Sequence, residues 1–514
     1  MATMKDGSLS NVVVLRPGAF RADAALGLRA AGAAAILIVL LRILLAATAN
    51  LSEDEAYYWL WSRHLAAGYY DHPPMVAAWI AAGTALFGQT EFGVRFAGMA
   101  SAIAASYLLY RASLSLFRDP AAAALCVIWM NATLLCNAAA IIATPDTPLA
   151  FFATLTLFAL ARLIETGRGA WWLLIGAALG LAFMSKYTAA LLLPGLFLWM
   201  IATAEGRRWF ARPEPYLGAA IAFLVVAPVF YWNYTHDWAS FAKQAGHSIK
   251  DKPANALASV AELFGAEAGL ATPLIFLFCL FGGFYAFARG LKRAVQPLLL
   301  IGAMSAPIFA FFFLHAANQK IQPNWPGLVY PAAILAAVHG VLAYSRERKR
   351  GGWFRQSFRA APWVGVAFTL AAFLQLGLGP LPLPARIDPT ARLKGWAKLG
   401  AEVERLRRER GAAFVLTERY GITGELAFYG SNADRVAQIS ERIRYANAPP
   451  PNEAEIEGAP ALLVVREGAD PARAASAFAS VVRIATVARD TAPDADGFYD
   501  VYLLSGYRGG LFGR

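Results

Sequence analysis

Charged residues are scarce in this chain of 514 residues: Asp, Glu, Lys and Arg together make up 16%, whereas hydrophobic residues make up 58%. Soluble domains carry about 25% charged and about 45–50% apolar residues. The mean hydropathy is +0.46. This composition excludes an ordinary soluble protein and predicts a polytopic membrane protein.

Cysteine is also rare. The three cysteines, Cys126, Cys136 and Cys279, all lie in or beside apolar runs. An odd number at these spacings matches neither a disulfide framework nor a zinc-binding motif, so we interpret them as packing residues. The N-terminus lacks a short apolar core followed by a cleavage site, which predicts that the first apolar run is a retained membrane helix.

Long apolar runs recur through the first three quarters of the chain. A spanning helix needs about 20 mainly apolar residues, and eleven such runs are present. They are residues 28–49, 93–117, 119–138, 147–164, 170–184, 187–204, 215–234, 270–288, 294–315, 325–344 and 361–379.

Basic residues predict how these runs are oriented, because short cytoplasmic loops are enriched in Lys and Arg. The strongest cluster is SRERKRGGWFRQSFR, residues 345–359, and the groups around Arg207 and Arg289 share its side of the membrane. We therefore predict a cytoplasmic N-terminus (1–27) and an external C-terminus. The net charge of +12 marks cytoplasmic loops, so we expect no nucleic-acid partner.

The hydropathy pattern changes beyond residue 380. The proline-rich LGPLPLPARIDP is followed by the helical pattern LKGWAKLGAEVERLRRERG and by short apolar runs such as AAFVLTE and PALLVVRE. This alternation predicts an α/β domain. The predicted organisation is a membrane domain at 28–379, with external loops 50–92 and 235–269, and an external α/β domain at 380–514.

Acidic residues gather at the external ends of the predicted helices. The first external loop contains LSEDEAYYWLWSRHLAAGYYDHPP, which holds Asp54, Glu55 and Asp71, and ATPDTPLAFF places Asp146 at the start of a later segment. A carboxylate at the membrane boundary can act as a general base or bind a hard cation. These acids are therefore candidates for a catalytic or metal site.

The same acids also have a purely structural interpretation. Ser52 followed by Glu55 matches a capping box. In the later segment, Thr144 as cap, Pro145 at the first helical position and Asp146 in the first turn describe an ordinary helix start. Both interpretations stay open for each acid taken alone.

Two lysines are predicted at the same level of the membrane. Lys186, in MSKYTA, falls in a tight external turn, and Lys320, in HAANQKIQPNWPGLVYPAA, lies just before the tenth segment. Either lysine could simply extend to the interface, as lysines at helix ends do. Acids and cations together would instead suit a substrate that carries a phosphate.

The motifs EDEAYY, YYDHPP, TPDTPL, SKY and KIQPNWP resemble the bacterial branch of the protein-mannosyltransferase family (family 39). That branch includes the aminoarabinose and galacturonic-acid transferases of lipid A. The resemblance covers the whole chain and implies a GT-C glycosyltransferase fold, with about 11 transmembrane helices and a C-terminal α/β periplasmic domain. It also implies a polyprenyl-phosphate sugar donor, used at the periplasmic face of a bacterial inner membrane with inversion of the anomeric centre.

The resemblance also implies roles for the acids. Asp54 would be the catalytic base, Glu55 its neighbour in the motif, and Asp146 the second acidic site. Asp54, Asp71 and Asp146 could hold a divalent metal (Mg²⁺ or Mn²⁺), or none. Relatives often have Glu followed by Lys where this chain has Asp71 and His72, which is a departure from the family's pattern.

Further residues are candidates for substrate binding by the same resemblance. Lys186 and Lys320 would bind the donor phosphate. His236, in YWNYTHDWASFAKQ, could shape the cavity, although interfacial anchoring is the alternative for this segment. The remaining candidates are Tyr57, Tyr58, Asp71, His72, Asn324 and Trp325.

Two other classes of function compete with the transferase. A transporter or flippase of lipid-linked sugars would also have many helices and membrane-embedded acids, and Arg42 inside the first segment fits it well. A non-catalytic envelope assembly protein would use the acids as caps. For the transferase we expect a monomer, in contact with the bilayer, whose acceptor is lipid A or lipopolysaccharide core first, and a periplasmic protein or another envelope glycan second.

Overall fold

The computed structural model describes residues 22–250, 255–348, 352–384, 387–430, 432–489 and 497–512. Residues 1–21 of the predicted cytoplasmic N-terminus lie outside the described residues.

Helices occupy most of the described chain before residue 380. Their bounds are α1 Ala22–Thr48, α2 Glu53–Ser62, α3 Met75–Phe87, α4 Glu91–Phe117, α5 Pro120–Ala132, α6 Leu134–Ile141, α7 Asp146–Thr166, α8 Trp171–Ser185, α9 Leu192–Ala202, α10 Ala204–Arg208, α11 Glu214–Thr235, α12 Ala239–Lys250, α13 Ala256–Leu270, α14 Pro273–Arg293, α15 Gln296–Ala303, α16 Ala306–Ala316, α17 Tyr330–Arg348 and α18 Trp353–Leu378. Short 3-10 turns lie at Tyr187–Leu191, Trp209–Ala211 and Trp325–Val329.

Eight helices in the described residues are long and apolar enough to cross a membrane. Two bent pairs raise the number to ten: α5 with α6, bent by 65°, and Tyr187–Ala202 with Ala204–Ala211, bent by 97°. The predicted run at 170–184 forms α8, whose 15 residues extend for about 22 Å, less than the roughly 30 Å of a bilayer core. This run, the fifth of the eleven predicted spans, is therefore too short to cross the membrane by itself.

One end of the helix bundle carries the predicted external acids. We call it the outer end: it is where α1 ends at Thr48 and where α4 and α7 begin at Glu91 and Asp146. Helix α2 follows α1 there and begins with the predicted capping box. The Glu55 amide donates to the Ser52 hydroxyl at 3.4 Å, and the Ser52 amide donates to the Glu55 carboxylate at 2.9 Å.

The predicted cap of α7 is wrong. The helix begins at Asp146 with Pro145 as its N-cap residue, and no side chain caps it. Thr147 instead donates its hydroxyl hydrogen to the Ala139 carbonyl at 2.7 Å. The first turn of α7 is thereby tied to α6, so its start is held by the bundle rather than by the Thr144 side chain.

A small α/β unit follows the bundle, as predicted. Its elements are α19 Trp396–Glu409, β1 Phe414–Thr417, α20 Tyr420–Tyr429, β2 Val436–Gln438, α21 Glu453–Glu457, β3 Ala461–Arg466, α22 Ala472–Ala477, β4 Phe478–Ala488 and β5 Phe498–Tyr507, with 3-10 turns at Ala391–Leu393, Ala433–Arg435 and Arg442–Tyr445. The strand order is β2-β1-β3-β5-β4. Strand β1 pairs in parallel with β2 and β3, whereas β5 is antiparallel to β3 and β4.

The sheet separates two apolar clusters. Val415 and Val464 pack with α19 on one face, and Leu416 and Leu463 pack on the other. Successive residues of a strand point to opposite faces, so continuous apolar strands such as FVLT and ALLVVR indicate a sheet covered on both sides.

Helix α20 packs the sheet domain against α2 of the first loop. A Cβ added at Gly421 would lie 2.7 Å from the Glu53 Cβ, and one added at Gly424 would lie 2.7 Å from the Ala56 carbonyl carbon. Only glycine lets the two helices approach this closely. The contact brings Tyr420, the first residue of α20, to the acidic start of α2.

Polar contacts hold the same junction. The Leu51 amide donates to the Tyr429 hydroxyl at 2.8 Å, and that hydroxyl donates to Glu91 at 3.0 Å. The Asn50 side-chain oxygen accepts from the Trp396 amide at 3.0 Å. The sheet domain is therefore bonded to the end of α1 and to the start of α4.

Candidate functional site

A buried ion pair organises the outer end of the bundle. Arg95 donates to Glu55 at 2.7 and 2.9 Å, and neither side chain is exposed. The same guanidinium donates to the carbonyls of Ala46, Ala49 and Asn50. Since the last carbonyls of a helix lack intrahelical partners, Arg95 both caps α1 and binds α2.

Glu55 also reaches the start of α7. Its carboxylate accepts from the Ala143 amide at 3.0 Å, three residues before Asp146. With bonds from Ser52, Arg95 and Ala143, and with no exposure, Glu55 has no free face for a substrate. This geometry favours a structural role for Glu55 over the predicted catalytic one.

Asp54, the preceding residue, has the opposite environment. It is exposed, and its Oδ1 accepts a hydrogen bond from the Tyr420 hydroxyl at 3.0 Å. Among the described residues its other oxygen, Oδ2, makes no hydrogen bond. The protein walls around the carboxylate reduce its hydration and raise its pKa, an effect that the Tyr420 hydrogen bond partly opposes.

Asp71 lies beside this acid, at the end of the YYDHPP motif. Its Oδ2 accepts from the Tyr57 hydroxyl at 2.8 Å and from Arg444 of the sheet domain at 2.5 Å. The Arg444 guanidinium also lies 4.7 Å from the centre of the Tyr420 ring, a cation–π geometry. We call Asp54, Tyr57, Asp71, Tyr420 and Arg444 the loop cluster.

Tyr58 and His72 support the loop cluster from behind. Tyr58 is buried, and its ring centre lies 4.9 Å from that of Trp61. The His72 ring lies edge-on to Tyr58 at 6.1 Å, and the His72 carbonyl accepts from the Tyr69 amide. The structure therefore places both predicted residues beside the loop cluster, where they pack against neighbouring aromatic rings.

A second group forms at the start of α7. Lys186 donates to both oxygens of Asp146 at 2.8 and 2.9 Å, and Asn324 donates to Asp146 Oδ2 at 2.8 Å. Lys186 is only 7% exposed, and Trp325 packs against the bundle core. We call Asp146, Lys186 and Asn324 the bundle cluster. Its three residues come from three separate motifs, TPDTPL, SKY and KIQPNWP.

Two predicted residues stand apart from these clusters. Lys320 is exposed and makes no hydrogen bond or ion pair within the described part of the chain. His236 stacks on Trp232 with ring centres 4.1 Å apart, and its Nδ1 contacts the Trp232 carbonyl. Trp232 in turn donates to Asn447 at 3.0 Å, so His236 supports a contact between α11 and the sheet domain.

The three acids named as possible metal ligands are not grouped around one metal position in the described residues. Among the described residues no group of three or more His, Cys, Asp or Glu side chains is arranged to hold a metal ion. Asp146 is paired with Lys186, Asp71 with Arg444, and Asp54 accepts from Tyr420. Two of the three carboxylates are therefore neutralised by cations, which does not suit a divalent-cation centre that needs several free oxygen ligands.

Arg42, the charge that fits a transporter, is also accounted for. It donates to the side-chain oxygens of Asn131 and Asn137, at 3.0 and 2.7 Å. These residues flank the bend between α5 and α6. Arg42 thus bonds α1 to a broken helix, and no acid pairs with it among the described residues.

Sequence reasoning missed Tyr420 and Arg444, which the sheet domain contributes to the loop cluster. They are 366 and 373 residues from their partners Asp54 and Asp71, and no local pattern encodes such a contact. A weak signal was present in YGITGELA, residues 420–427, where glycines three residues apart indicate a helix face that another helix can approach closely.

Known proteins similar to this chain are glycosyltransferases. A model of the dolichyl-phosphate-mannose-protein mannosyltransferase family matches residues 71–232. Lipid A galacturonosyltransferase RgtD of Rhizobium johnstonii is 27% identical over 401 residues, covering 77% of this chain and 80% of that protein.

Two arabinosyl transferases are also similar to this chain. The undecaprenyl phosphate-alpha-4-amino-4-deoxy-L-arabinose arabinosyl transferase of Pseudomonas aeruginosa is 31% identical over 160 residues, which is 29% of this chain and 28% of that protein. The corresponding transferase 1 of Sodalis glossinidius is 26% identical over 385 residues, 68% of this chain and 64% of that protein. Each match covers less than two thirds of the relative's own length.

Solved structures match nearly the whole chain. ArnT from Cupriavidus metallidurans, solved with undecaprenyl phosphate, has a TM-score of 0.62 at 18% identity, covering 94% of this chain and 98% of ArnT. The oligosaccharyltransferase AglB from Archaeoglobus fulgidus has a TM-score of 0.50 at 12% identity, covering 87% of this chain and 70% of AglB. The chain is a multi-pass glycosyltransferase with the GT-C fold, and its sequence is similar to the protein-mannosyltransferase (family 39) type that its motifs resemble.

Proposed function

We propose that this glycosyltransferase moves a sugar from a polyprenyl-phosphate donor to an acceptor at the periplasmic face of a bacterial inner membrane. The proposed acceptor is lipid A or lipopolysaccharide core, with a periplasmic protein or another envelope glycan as the second candidate. Asp54 carries the proposal, because it is an open carboxylate with one unoccupied oxygen at the outer end of the bundle.

The relatives support this choice of donor and acceptor. RgtD is named for transfer to lipid A, and the Pseudomonas and Sodalis enzymes are named for an undecaprenyl-phosphate sugar. The relatives described above are transferases, so the flippase alternative finds no support among them.

Asp54 is the proposed general base. The acceptor hydroxyl would give its proton to Asp54 Oδ2 while its oxygen attacks the anomeric carbon of the donor sugar. Tyr420, by donating to Oδ1, orients the carboxylate. A raised pKa makes Asp54 a stronger base than an ordinary carboxylate.

Lys186 is the proposed electrostatic partner of the leaving group. The bond between the anomeric carbon and the phosphate oxygen breaks as the new glycosidic bond forms, and the electron pair stays on polyprenyl phosphate. An ammonium group has three donors, of which Asp146 accepts two, and the third is left for a phosphate oxygen. Stabilising the developing charge lowers the barrier of a transfer whose transition state resembles an oxocarbenium ion.

The two clusters can serve one reaction because Glu55 connects them. It follows Asp54 in α2 and accepts from the Ala143 amide, which precedes α7. Attack from the side opposite the leaving phosphate would invert the anomeric centre. We therefore propose an inverting single displacement, with Asp54 on the acceptor side and Lys186 on the donor side.

The proposal is tested by mass spectrometry of envelope lipids and glycans from three strains: a deletion, its wild-type complement, and an Asp54→Asn complement at equal expression. We expect one glycosyl mass to disappear on deletion, to return with the wild-type protein and to stay absent with Asp54→Asn. Asn cannot accept the proton, and loss of a general base costs about 10²–10⁴ in rate.

Other outcomes would contradict specific parts of the proposal. Full restoration of the product by Asp54→Asn would exclude Asp54 as the base. Accumulation of a lipid-linked precursor on the cytoplasmic leaflet, with no glycan lost, would favour a flippase instead.

A further inference from the structure

A cavity lies between the first loop and the sheet domain. Its volume is about 400 Å³, and the described residues that line it fall within 60–69 and 414–455, none of them in a spanning helix. Ligand-binding cavities are commonly about 300–1,000 Å³. This cavity therefore stands above the membrane domain and is large enough for a small polar molecule.

Arginines dominate the charge of the cavity. Four arginines and two acids line it. Asp434 pairs with Arg63 at 3.0 Å, and Arg444 pairs with Asp71 at 2.5 Å, which leaves two lining arginines against the single charge of Glu455. The cavity is consequently left with a positive surplus.

Two of these arginines carry the surplus. Among the described residues, neither Arg435 nor Arg442 forms an ion pair. Arg442 lies over the rings of Tyr445 and Phe512, at 5.6 and 5.5 Å, and its burial lowers its pKa. A dehydrated guanidinium without a carboxylate partner is suited to bind a carboxylate or phosphate, to which it can donate two parallel hydrogen bonds.

The other lining groups are mostly buried or already bonded. The Trp61 and Tyr69 rings stack with centres 4.3 Å apart and planes 1° apart, and both are nearly buried, so they form a closed wall of the cavity. Asn432 is exposed and lines the same cavity. Its side-chain NH₂ makes no hydrogen bond among the described residues, so it can donate to a ligand hydroxyl.

The cavity adjoins the loop cluster through Arg444. This residue lines the cavity and donates to Asp71 at 2.5 Å. Hydrogen bonds also fix the sheet domain to the first loop at the cavity, because Asn447 donates to the Gly68 carbonyl at 2.9 Å. Asn447 also accepts from Trp232 of α11 at 3.0 Å. A ligand in the cavity would therefore lie on the Asp54 side of the site, where the acceptor enters.

We propose that this cavity binds the anionic saccharide portion of the acceptor, a sugar that carries a phosphate or a carboxylate. Arg435 and Arg442 bind the anion, and Asn432 donates to a sugar hydroxyl. Assignment of this ligand to the acceptor rests on the proposed function, whereas the binding chemistry is independent of it.

Equilibrium binding to the purified full-length protein in lipid nanodiscs tests this site, with tryptophan fluorescence and saturation-transfer NMR as readouts. The probes are a phosphorylated disaccharide, a disaccharide containing a uronic acid, an uncharged disaccharide, and inorganic phosphate. We expect an anionic disaccharide to bind at least tenfold more tightly than the uncharged one. The better of the two anionic probes identifies the anion.

Variants connect the binding to the residues. Arg435→Ala with Arg442→Ala should weaken binding at least tenfold, and the corresponding double Lys variant, which keeps the charge but not the planar fork, should lie between. Arg473→Ala, an exposed arginine of the same domain, is the matched control and should bind as the wild type does. In transfer assays the double Ala variant should raise the acceptor KM and leave kcat unchanged.

Three results would overturn the proposal. These are equal binding of the uncharged disaccharide, equal binding by the double Ala variant, and binding of inorganic phosphate as tightly as any disaccharide. The wild-type comparison of probes remains decisive even if the double Ala variant does not fold.

Failure of the proposed function is a separate result. If deletion removes no glycan, the acceptor assignment falls while anionic-saccharide binding stands or falls by itself. If the glycan is lost on deletion but the double Ala variant binds normally, only the cavity proposal fails.

Discussion

At the scale of single residues, two neighbouring acids have opposite environments. Glu55 is buried, paired with Arg95 and fully hydrogen-bonded, whereas Asp54 is open and bonded only to Tyr420 among the described residues. Environment rather than residue type decides which of two carboxylates can do chemistry. Within the EDEAYY motif, Glu55 is therefore a positioning acid and Asp54 is the candidate base.

Tyr420→Phe should change the pH dependence of transfer. A base works when it is deprotonated, so activity falls as the pH drops through the raised pKa of Asp54. The Tyr420 hydrogen bond stabilises the charged carboxylate, and its loss raises that pKa further. The acidic limb of kcat/KM should therefore move to higher pH, as measured in detergent with a lipid-phosphate donor.

The control for this change is Tyr502→Phe, on β5 of the sheet domain and outside the loop cluster. It should leave the limb in place. An unshifted acidic limb in Tyr420→Phe would mean that the limb reports another group.

At the scale of elements, the close contact of α2 with α20 positions the loop cluster. Gly421 and Gly424 leave room for the backbone of α2, and Tyr420 begins the helix that this contact places. The site is therefore assembled by helix packing as much as by its own hydrogen bonds.

Gly424→Ala should separate the two helices. The new Cβ would lie 2.7 Å from the Ala56 carbonyl carbon, and relieving such overpacking costs about 1–3 kcal/mol. We expect a lower Tm of the full-length protein, faster proteolysis at the junction and reduced transfer, although Gly424 touches no substrate.

Gly458→Ala is the matched control, because its Cβ would meet the nearest atom at an ordinary 3.7 Å. It should behave as the wild type does. A normal Tm and normal activity in Gly424→Ala would show that α2 and α20 can move apart without loss of stability or function.

At the scale of the whole molecule, the sheet domain buries an acid against the membrane domain. Glu425 on α20 is fully buried, and neither of its oxygens has a hydrogen-bond partner in the described structure. Burial raises its pKa well above the ordinary value, and Glu53 and Glu55 raise it further, while Arg489 and Arg95 oppose them. Burial therefore favours the neutral form of this carboxyl.

Glu425 should make the stability of the protein depend on pH. The folded state keeps a proton that the unfolded chain releases above its ordinary carboxyl pKa. Its contribution is fully present below that ordinary value and is lost as the pH rises through the raised folded pKa. Thermal unfolding of the full-length protein across a pH series should show Tm falling with pH in the wild type and falling less in Glu425→Gln.

Glu457→Gln, which changes an exposed acid of the same domain, serves as the control and should keep the wild-type slope. Equal slopes in the wild type and Glu425→Gln would assign the pH dependence to other groups.

Much of the candidate site could be predicted from short motifs. Asp54, Asp71, Asp146 and Lys186 all lie in clusters at the outer end, because helix ends and membrane boundaries restrict where each motif can lie. The capping box at Ser52 was also predictable, since it depends on residues only three apart.

Other parts of the site depended on long-range packing. The bend between α5 and α6, for example, is bonded to α1 through Arg42, a contact between residues far apart in sequence. The partners of the acids could not be predicted either, since the ammonium of Lys186 and the guanidinium of Arg444 become their neighbours only after folding.

The sequence by itself determined the membrane class, the order of helices, the α/β character of the C-terminal domain and the acids at one face. These follow from hydrophobic periodicity and local capping, which act over a few residues. The tertiary structure decided that Glu55 positions while Asp54 is open, that Tyr420 and Arg444 complete the loop cluster, and that an arginine-rich cavity lies beside it. Those outcomes depend on the contact of α2 with α20, whose residues lie more than 350 positions apart, and such contacts are selected by packing and burial of the whole chain rather than by any local pattern.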